Sequence, residues 1–244
     1  MARYLYGVLI MEIRRFYSKR SSKRDGAFKI EGDEAHHIIK VLRYKIGYKL
    51  VVFDGTGNDY DCSVSEIGKD YVIARIDCVT PNDTDPKVTL RLYQCITKPD
   101  KMDTIVQKAV ELGVSEIVPV LTARSEKSVN QEKLERVAVS AAKQCGASRL
   151  PTIKNPVTLD EIGVENLLIF AYEGEKSRTL RDVSLAKFTR IDLLVGPEGG
   201  FTEGEAETIA EKGALTVSLG KRILRAETAS IMLCGLVLYK AGVI

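Results

Sequence analysis

The chain has 244 residues, 45% of them hydrophobic, and a net charge of +3. This length accommodates one or two domains with a buried core, and the lack of any apolar stretch of about 18 uncharged residues argues against a membrane-spanning helix. The five cysteines are odd in number and widely spaced, and the two histidines are adjacent. We therefore expect a cytoplasmic protein without disulfides or a bound metal, outside the hydrolases that use a Ser-His-Asp triad.

An apolar patch at residues 4–11 follows Arg3 and lacks a signal-peptide cleavage pattern. A first β-strand is the simpler interpretation of this patch. An upstream extension with Met11 as the alternative start is the other, so the sequence leaves open whether residues 1–10 belong to the native start.

Positive charge is concentrated near the N-terminus. Residues 1–50 hold 12 Lys and Arg against 5 Asp and Glu, whereas the remaining 194 residues carry a net −4. Within residues 14–24, basic side chains surround Phe16 and Tyr17. Contacts from lysine and arginine to phosphates, combined with stacking rings, are typical of a nucleic-acid surface. A solvated, mobile loop explains the segment equally well.

The first eighty residues read as short strands joined by turns. Strands are predicted at residues 49–54, 60–66 and 71–79, with GTGND and GKD between them. This spacing predicts a small β-barrel or sandwich. The segment TPNDTDPK at residues 80–87 is polar and contains two prolines, so we place a linker there and divide the chain into domains at residues 1–80 and 81–244.

Beyond the linker, strand and helix patterns alternate. Strands are predicted at residues 88–96, 116–120, 167–172, 191–195 and 215–219, and helices at 103–112, 131–145, 202–212 and 227–240. Such alternation predicts an α/β fold with a mostly parallel sheet covered by helices. The last helix is apolar on nearly every side and too short to cross a bilayer, so it is buried within the fold or in a homodimer interface.

Two glycine-containing segments follow predicted strands near the C-terminus. The first glycine loop, residues 196–200, reads GPEGG, and the second glycine loop, residues 218–225, reads SLGKRILR. Glycines let the backbone approach a small molecule closely, and ligands of open α/β sheets bind at the carboxyl ends of the strands. Either loop alone is typical of an ordinary turn, but the two together indicate a ligand site.

Other known motifs are missing. GTGNDY lacks the third glycine of a dinucleotide fingerprint and lies between strands, and the chain has no phosphate-binding P-loop, no G-x-S-x-G and no H-E-x-x-H. Glycine loops on a parallel sheet, with a basic domain in front, favour an enzyme that carries a small-molecule donor to a nucleic acid.

Four segments in order carry a resemblance to a known family: HHIIKVLR, QKAVELGVSEIVPV, GPEGGFTEGE and LGKRILRAETA. From residue 14 onward the chain resembles the RsmE-type methyltransferases of the SPOUT, or α/β-knot, superfamily. The resemblance implies methylation of N3 of a uridine in 16S ribosomal RNA with S-adenosylmethionine. It also implies a trefoil-knotted C-terminal sheet, an N-terminal PUA-like barrel that binds RNA, and an obligate homodimer.

The resemblance further implies which residues surround S-adenosylmethionine. They are Ala171, Tyr172 and Glu173; Leu194, Gly196, Pro197, Glu198, Gly199 and Gly200; and Leu219, Gly220, Ile223, Leu224, Arg225 and Ala229. The apolar Leu219, Ile223 and Leu224 are expected to enclose the adenine.

Three charged residues in or next to the glycine loops are candidates for catalysis: Arg225, Glu198 and Glu227. N3 of uridine must lose its proton to become a nucleophile, so we expect Arg225 to stabilise the developing negative charge. Glu198 or Glu227 is a candidate proton acceptor, and bulk water is an alternative. Glu227 opens a helix, where a carboxylate is more often a cap or an ion-pair partner.

For the RNA, Arg14, Arg15, Arg20, Lys40 and Arg43 are expected to contact phosphates, and Phe16 to stack on a base. Arg149 is a weaker candidate, because CGAS separates it from Gln144 where the family shows an earlier arginine. The sequence leaves His36 and His37 open between a helix face near the RNA and a partly buried structural pair.

Two other functions compete with the methyltransferase. A non-catalytic RNA-binding factor for ribosome assembly needs the basic domain but no donor cavity. A nucleotide-dependent oxidoreductase or kinase-like enzyme needs a phosphate cradle that the sequence lacks.

Overall fold

The computed structural model describes residues 4–5, 8–9 and 13–244. Two compact units divide the chain: the first unit comprises Met1–Thr84 and Lys143–Leu150, and the second unit comprises Asp85–Ala142 and Pro151–Ile244. Among the described residues, no helix is both long and apolar enough to cross a membrane.

The first unit is built mainly from β-strands. They are β1 (Tyr4–Leu5), β2 (Val8–Leu9), β3 (Arg15–Tyr17), β4 (Lys23–Arg24), β5 (Ala27–Glu31), β6 (Lys49–Phe53), β7 (Asn58–Ile67) and β8 (Tyr71–Pro81), with the short helix α1 (Gly32–His36) and a π-helical turn (His37–Val41) after β5. The predicted strands at residues 49–54, 60–66 and 71–79 are confirmed as β6, β7 and β8. Within the apolar patch at residues 4–11, β1 and β2 pair antiparallel, and Met11 lies outside the described residues.

Six of these strands form one sheet in the order β3-β6-β7-β8-β5-β4. Neighbours are antiparallel except β3 and β6, which run parallel. In β5, Phe28 and Ile30 are buried whereas Lys29 and Glu31 are exposed, as expected for a strand with one face on the core. Phe16, Leu50 and further apolar side chains complete this core.

Residues 143–150 are tied to the first unit by hydrogen bonds. Arg15 donates to both carboxylate oxygens of Asp59, at 3.0 and 2.9 Å, and to the Ser148 hydroxyl at 2.6 Å. Ser148 also donates to Asp59, and Asn82 Nδ2 donates to Gly146 O at 3.0 Å. The sequence did not predict that this segment, more than sixty residues beyond β8, belongs to the first unit.

The second unit alternates strands and helices. Its elements are β9 (Thr89–Cys95), α2 (Pro99–Glu111), β10 (Glu116–Leu121), α3 (Gln131–Cys145, whose last residues belong to the first unit), β11 (Thr152–Ile153), β12 (Val157–Thr158), β13 (Leu167–Ala171), β14 (Arg190–Val195), α4 (Glu203–Glu211), β15 (Leu215–Val217) and α5 (Ala226–Lys240). All strand pairs are parallel, in the order β11-β10-β9-β14-β13-β15, and β12 also pairs with β10. The predicted parallel α/β sheet is therefore confirmed, and the trefoil knot stays a prediction.

Local sequence explains the ends of the helices. Thr202 caps α4, because its hydroxyl accepts from the Glu205 amide at 3.2 Å while the Glu205 carboxylate accepts from the Thr202 amide at 2.9 Å. α2 begins at Pro99, four residues before the predicted start, because proline is favoured at the first helical position.

Helix α5 packs on α2 and β14. Leu233 and Val237 are fully buried, whereas Leu236 is 37% and Tyr239 72% exposed. Packing within this chain therefore buries one face of α5, while apolar side chains on another face stay exposed.

The cysteines occupy two environments. Cys62, Cys95 and Cys234 are buried, and burial raises the pKa of Cys62 and of Cys234 to about 12. Cys78 and Cys145 are exposed, so three of the five cysteines lie in the core.

Candidate active site

A cavity of about 550 Å³ opens at the carboxyl ends of β9, β13, β14 and β15. Because these four strands are parallel neighbours in the sheet, the loops that follow them meet at one edge. The walls are the segment after β13, the two glycine loops and the start of α2. Its volume is in the range of cofactor and substrate pockets.

In the first glycine loop, a positive φ and closely packed neighbouring side chains favour glycine. The Gly200 amide donates to Pro197 O at 3.0 Å, and Gly200 has a φ of +67°. A Cβ at Gly200 would also collide with the carboxylate of Glu173, and one at Gly196 would lie 2.8 Å from the Phe201 ring. The positive φ of Gly200 and the ring beside Gly196 therefore favour glycine at these two positions.

The second glycine loop combines a strained turn with apolar side chains. Gly220 has a φ of +127° and its amide donates to the Ser218 hydroxyl at 3.3 Å. Leu219 and Leu224 are half-buried, and Ile223 is 88% exposed. All three line the cavity, which provides an apolar wall on this side.

Charged side chains gather where α2 and α5 begin. Lys101 Nζ lies 2.8 Å from Glu227 Oε1. A hydrogen bond from Lys101 lowers the pKa of Glu227, although partial burial opposes the shift, and the charge of Arg225 contributes further. The second carboxylate oxygen of Glu227 is buried and has no hydrogen-bond partner among the described residues. A carboxylate of lowered pKa is a weak base, so the geometry favours the ion-pair alternative for Glu227.

Arg225 and Glu198 lie at the open side of the cavity. Arg225 is the N-cap residue of α5, its carbonyl accepts from the Ala229 amide at 2.9 Å, and its side chain is exposed. Glu198 is also exposed, and its carboxylate accepts from the backbone amide of Lys98 at 3.2 Å. Both side chains are accessible to a substrate that enters the cavity.

The structure brings together the residues that the resemblance assigned to the cofactor, with one difference. All of them line the cavity except Leu194, which is fully buried in the core beneath α4 with Phe170 and Phe201. Alternation along β14 turns its side chain into this core, which corrects its assignment to the cofactor-binding wall.

Three polar residues of the cavity were missed by sequence reasoning: Lys98, Lys101 and Lys176. Ser218, Lys221 and Arg222 also line it; they belong to the predicted second glycine loop but were not singled out. Lys98 and Lys101 follow β9 directly in ITKPDK, so their place at the carboxyl edge could have been inferred. That β9 is the neighbour of β14 could not, because the order of strands in a sheet is set by long-range contacts.

The predicted RNA-binding residues lie in the first unit and fall into two groups. Arg14, Arg20, Lys40 and Arg43 are exposed. Phe16 is only 1% exposed, so the prediction that it stacks on a base is wrong: apolar burial outweighs the basic surroundings. Arg15 is committed to Asp59 and Ser148, which corrects its assignment as a phosphate contact.

The remaining candidates of the first unit are held by neighbours. His36 is exposed, whereas His37 is half-buried, with its ring centroid 6.1 Å from that of Phe16 in an edge-on arrangement. The backbone of Arg149 pairs with Gly55 and Thr56, and its guanidinium approaches Gly57. The two histidines therefore differ in environment, and Arg149 packs on the turn between β6 and β7.

Comparison with known proteins identifies two matching families. Residues 84–238 match a family described as an RNA methyltransferase domain, and residues 30–77 match an RNA methyltransferase PUA domain. The ribosomal RNA small subunit methyltransferase E of Rickettsia conorii is 33% identical over 228 residues, covering 91% of this chain and 93% of that protein. The protein of the same name from Bacillus subtilis is 28% identical over 240 residues, covering 91% and 94%.

Solved structures of methyltransferases also superpose on this chain. A methyltransferase of Legionella pneumophila, in complex with S-adenosylmethionine, superposes with a TM-score of 0.83 at 29% identity, covering 94% of this chain and 98% of that one. A ribosomal RNA small subunit methyltransferase E of Neisseria gonorrhoeae, bound to S-adenosyl methionine, gives a TM-score of 0.81 at 28% identity, with 93% and 98% covered. From the extent of the domain match and the full-length likeness to the Rickettsia protein, the chain belongs to the RNA methyltransferase family that includes the ribosomal RNA small subunit methyltransferase E proteins.

Proposed function

We propose that this protein transfers a methyl group from S-adenosylmethionine to N3 of a uridine in 16S ribosomal RNA. The observation that carries the proposal is the cavity of about 550 Å³ between the two glycine loops. The Legionella and Neisseria proteins, which share this fold, were solved with the same donor. N3 as the target atom rests on the resemblance of the sequence motifs.

The residues of the cavity fit this donor. Glu173 and Glu198 bring carboxylates to a ligand that carries a positive sulfonium and an ammonium group. Leu219 and Leu224 offer apolar surface for an adenine, and Gly200 allows close approach of the backbone. The bound donor supplies an electrophilic methyl group.

Arg225 provides the positive charge that the reaction needs. N3 of uridine becomes nucleophilic only after it loses a proton, and a guanidinium nearby stabilises the resulting anion and its flanking carbonyl groups. The exposed Arg225 side chain at the cavity mouth is suited to this role. Glu227 attracts Arg225 electrostatically and pairs with Lys101, so Glu198 or bulk water is left as the proton acceptor.

The N-terminal domain, residues 1–80 extended by residues 143–150, binds the RNA as a PUA-like barrel, and the rest of residues 81–244 forms the methyltransferase domain. Four exposed basic residues are suited to phosphate contacts: Arg14, Arg20, Lys40 and Arg43. The target base must leave its stack to expose N3, which lies on the Watson–Crick edge. The substrate is therefore a single-stranded or flipped uridine.

The functional form is a cytoplasmic homodimer with a trefoil knot at the C-terminus. Leu236 and Tyr239 are large apolar side chains of α5 that stay exposed in this chain. Their exposure supports a subunit interface along this helix. Sedimentation of the purified protein tests the dimer, with Tyr239→Arg as the variant expected to shift it towards a monomer.

The experiment that tests the activity supplies S-adenosylmethionine to the protein with unmodified small ribosomal subunits, and in parallel with naked 16S RNA. Digestion and mass spectrometry identify any methylated nucleoside. N3-methyluridine supports the proposal, and mapping of the fragment locates the uridine. Donor binding without methylation of either RNA contradicts it and leaves the alternative of an RNA-binding assembly factor.

A further inference from the structure

The segment after β10 contacts the first glycine loop from outside the cavity. Arg124 Nη1 donates to Gly199 O at 3.1 Å and lies 3.5 Å from Phe201 O. These two carbonyls flank Gly200, whose φ is +67°. One guanidinium therefore bridges two backbone carbonyls, one just before the left-handed residue and one a residue beyond it.

A second contact fixes the start of α4, which follows the first glycine loop. The Ala123 amide donates to Glu205 Oε1 at 2.7 Å, and the other Glu205 oxygen accepts from the Thr202 amide at 2.9 Å. Burial opposes ionisation of Glu205, but these hydrogen bonds and the charge of Arg124 outweigh it and lower its pKa. The start of α4 is thus joined to the segment that carries Arg124.

The close approach is independently visible at Gly199. A Cβ at this position would lie 3.0 Å from the Cβ of Arg124, closer than side chains normally pack. The loop therefore uses a glycine where Arg124 presses against it, in addition to the glycine that its own turn requires.

We propose that Arg124 is a positioning residue for donor binding, which holds the first glycine loop in its binding conformation although it does not line the cavity. The proposal rests on the proposed function. Residues 196–200 include three glycines and have many accessible conformations. When only a fraction of molecules has the competent loop, the apparent dissociation constant rises by the inverse of that fraction.

Calorimetric titration of the full-length protein with S-adenosylmethionine and with S-adenosylhomocysteine tests this. We expect Arg124→Ala to raise both dissociation constants about tenfold, as for loss of one charged hydrogen bond, and Arg124→Lys to restore part of the affinity. Arg181→Ala, at an exposed arginine of the second unit outside the cavity, is the matched control and should bind as the wild type does. In methylation assays, Arg124→Ala should raise the donor KM while kcat changes less than about twofold.

The titrations distinguish failure of the Arg124 inference from failure of the proposed function. If Arg124→Ala binds the donor as tightly as the wild type, the inference is wrong and the proposed function stands. If the wild type binds no donor, the proposed function fails. If the ligand-free melting temperature of Arg124→Ala falls markedly and Arg124→Lys restores neither stability nor affinity, the residue has a general structural role and the inference is overturned.

Discussion

Lys101 and Glu227 form an ion pair of 2.8 Å that joins the first turns of α2 and α5 at the cavity. The pair connects two helices that begin after different strands and places a carboxylate of lowered pKa beside Arg225. Because the pair lies in the cavity, substitution of Glu227 tests whether this carboxylate accepts the proton of the substrate.

We predict that Glu227→Gln keeps kcat within about tenfold of the wild type, because general-base catalysis would be worth about 10²–10⁴ and an ion pair contributes less. Methyl transfer under saturating donor and RNA measures this. Glu198→Gln is the companion variant. A loss of about a thousandfold in Glu227→Gln alone would identify Glu227 as the proton acceptor after all.

Arg225→Ala should lower kcat about 10²–10³-fold, since removal of a donor that stabilises developing negative charge has effects of this size. Donor affinity, measured by calorimetry, should change by much less than kcat. Arg222→Ala, at another exposed arginine of the second glycine loop, is the matched comparison. Near-normal turnover in Arg225→Ala with intact donor binding would show that the assignment is wrong.

Gly200→Ala should weaken donor binding about five- to thirtyfold. A side chain at this residue must displace the Glu173 carboxylate and adopt a positive φ, which costs about 1–2 kcal/mol. Gly204→Ala is a close control, because Gly204 lies in α4 with no atom within 4 Å of an added Cβ, and alanine there should stabilise the helix by about 0.5–1 kcal/mol. Calorimetry and thermal unfolding of both variants check the contrast. Equal donor affinity in the two would contradict the role of the loop.

Stability of the first unit should depend on Asp59 at acid pH. Burial favours its protonated form, but hydrogen bonds from Arg15, Ser148 and Asn82 outweigh this and lower its pKa below 3.8. A carboxyl group with a lowered folded-state pKa stabilises the fold fully above about pH 5, and the contribution is lost as the pH falls through the folded-state value.

Asp59→Asn should therefore cost about 1–3 kcal/mol at pH 7 and much less at pH 3. Urea unfolding at both pH values measures the difference. Asp61→Asn, at an exposed position two residues along β7, is the matched control and should change stability at pH 7 by less than about 0.5 kcal/mol. A cost for Asp59→Asn that stays constant between pH 7 and pH 3 would contradict the role of its charge.

RNA affinity should distinguish exposed from buried residues of the basic segment. Arg14→Ala and Arg20→Ala should each weaken binding and lower the salt dependence by about one unit of slope. Phe16→Leu should leave affinity unchanged, because the ring is 1% exposed. Filter binding at several salt concentrations provides the data, and a folded Phe16→Leu protein with weakened RNA binding would restore the stacking hypothesis.

Local patterns predicted most of the secondary structure. The capping box at Thr202 located α4, and helical periodicity placed α3 at Gln131–Cys145. The glycine loops were found because a break in an apolar run is a local signal. By contrast, Lys101 and Arg124 act across about 126 and 75 residues of sequence, and no local pattern contains such contacts.

The basic segment shows a different kind of failure. Charge density alone indicated an RNA surface, yet Phe16 is buried in the core of the first unit. Arg15, on the other face of β3, is half-buried and bound to Asp59. Strand alternation in β3 decides which side chains are accessible, and three residues are too few for that alternation to be read from sequence.

Residues 143–150 have a consequence for how this chain is made. Arg15 and Asp59 emerge early from the ribosome, but Ser148, which both of them contact, is added about ninety residues after Asp59. The first unit therefore cannot complete its hydrogen bonding during synthesis until β9, α2, β10 and α3 have been translated. An expressed fragment that ends at residue 84 would leave Arg15 and Asp59 permanently without this partner.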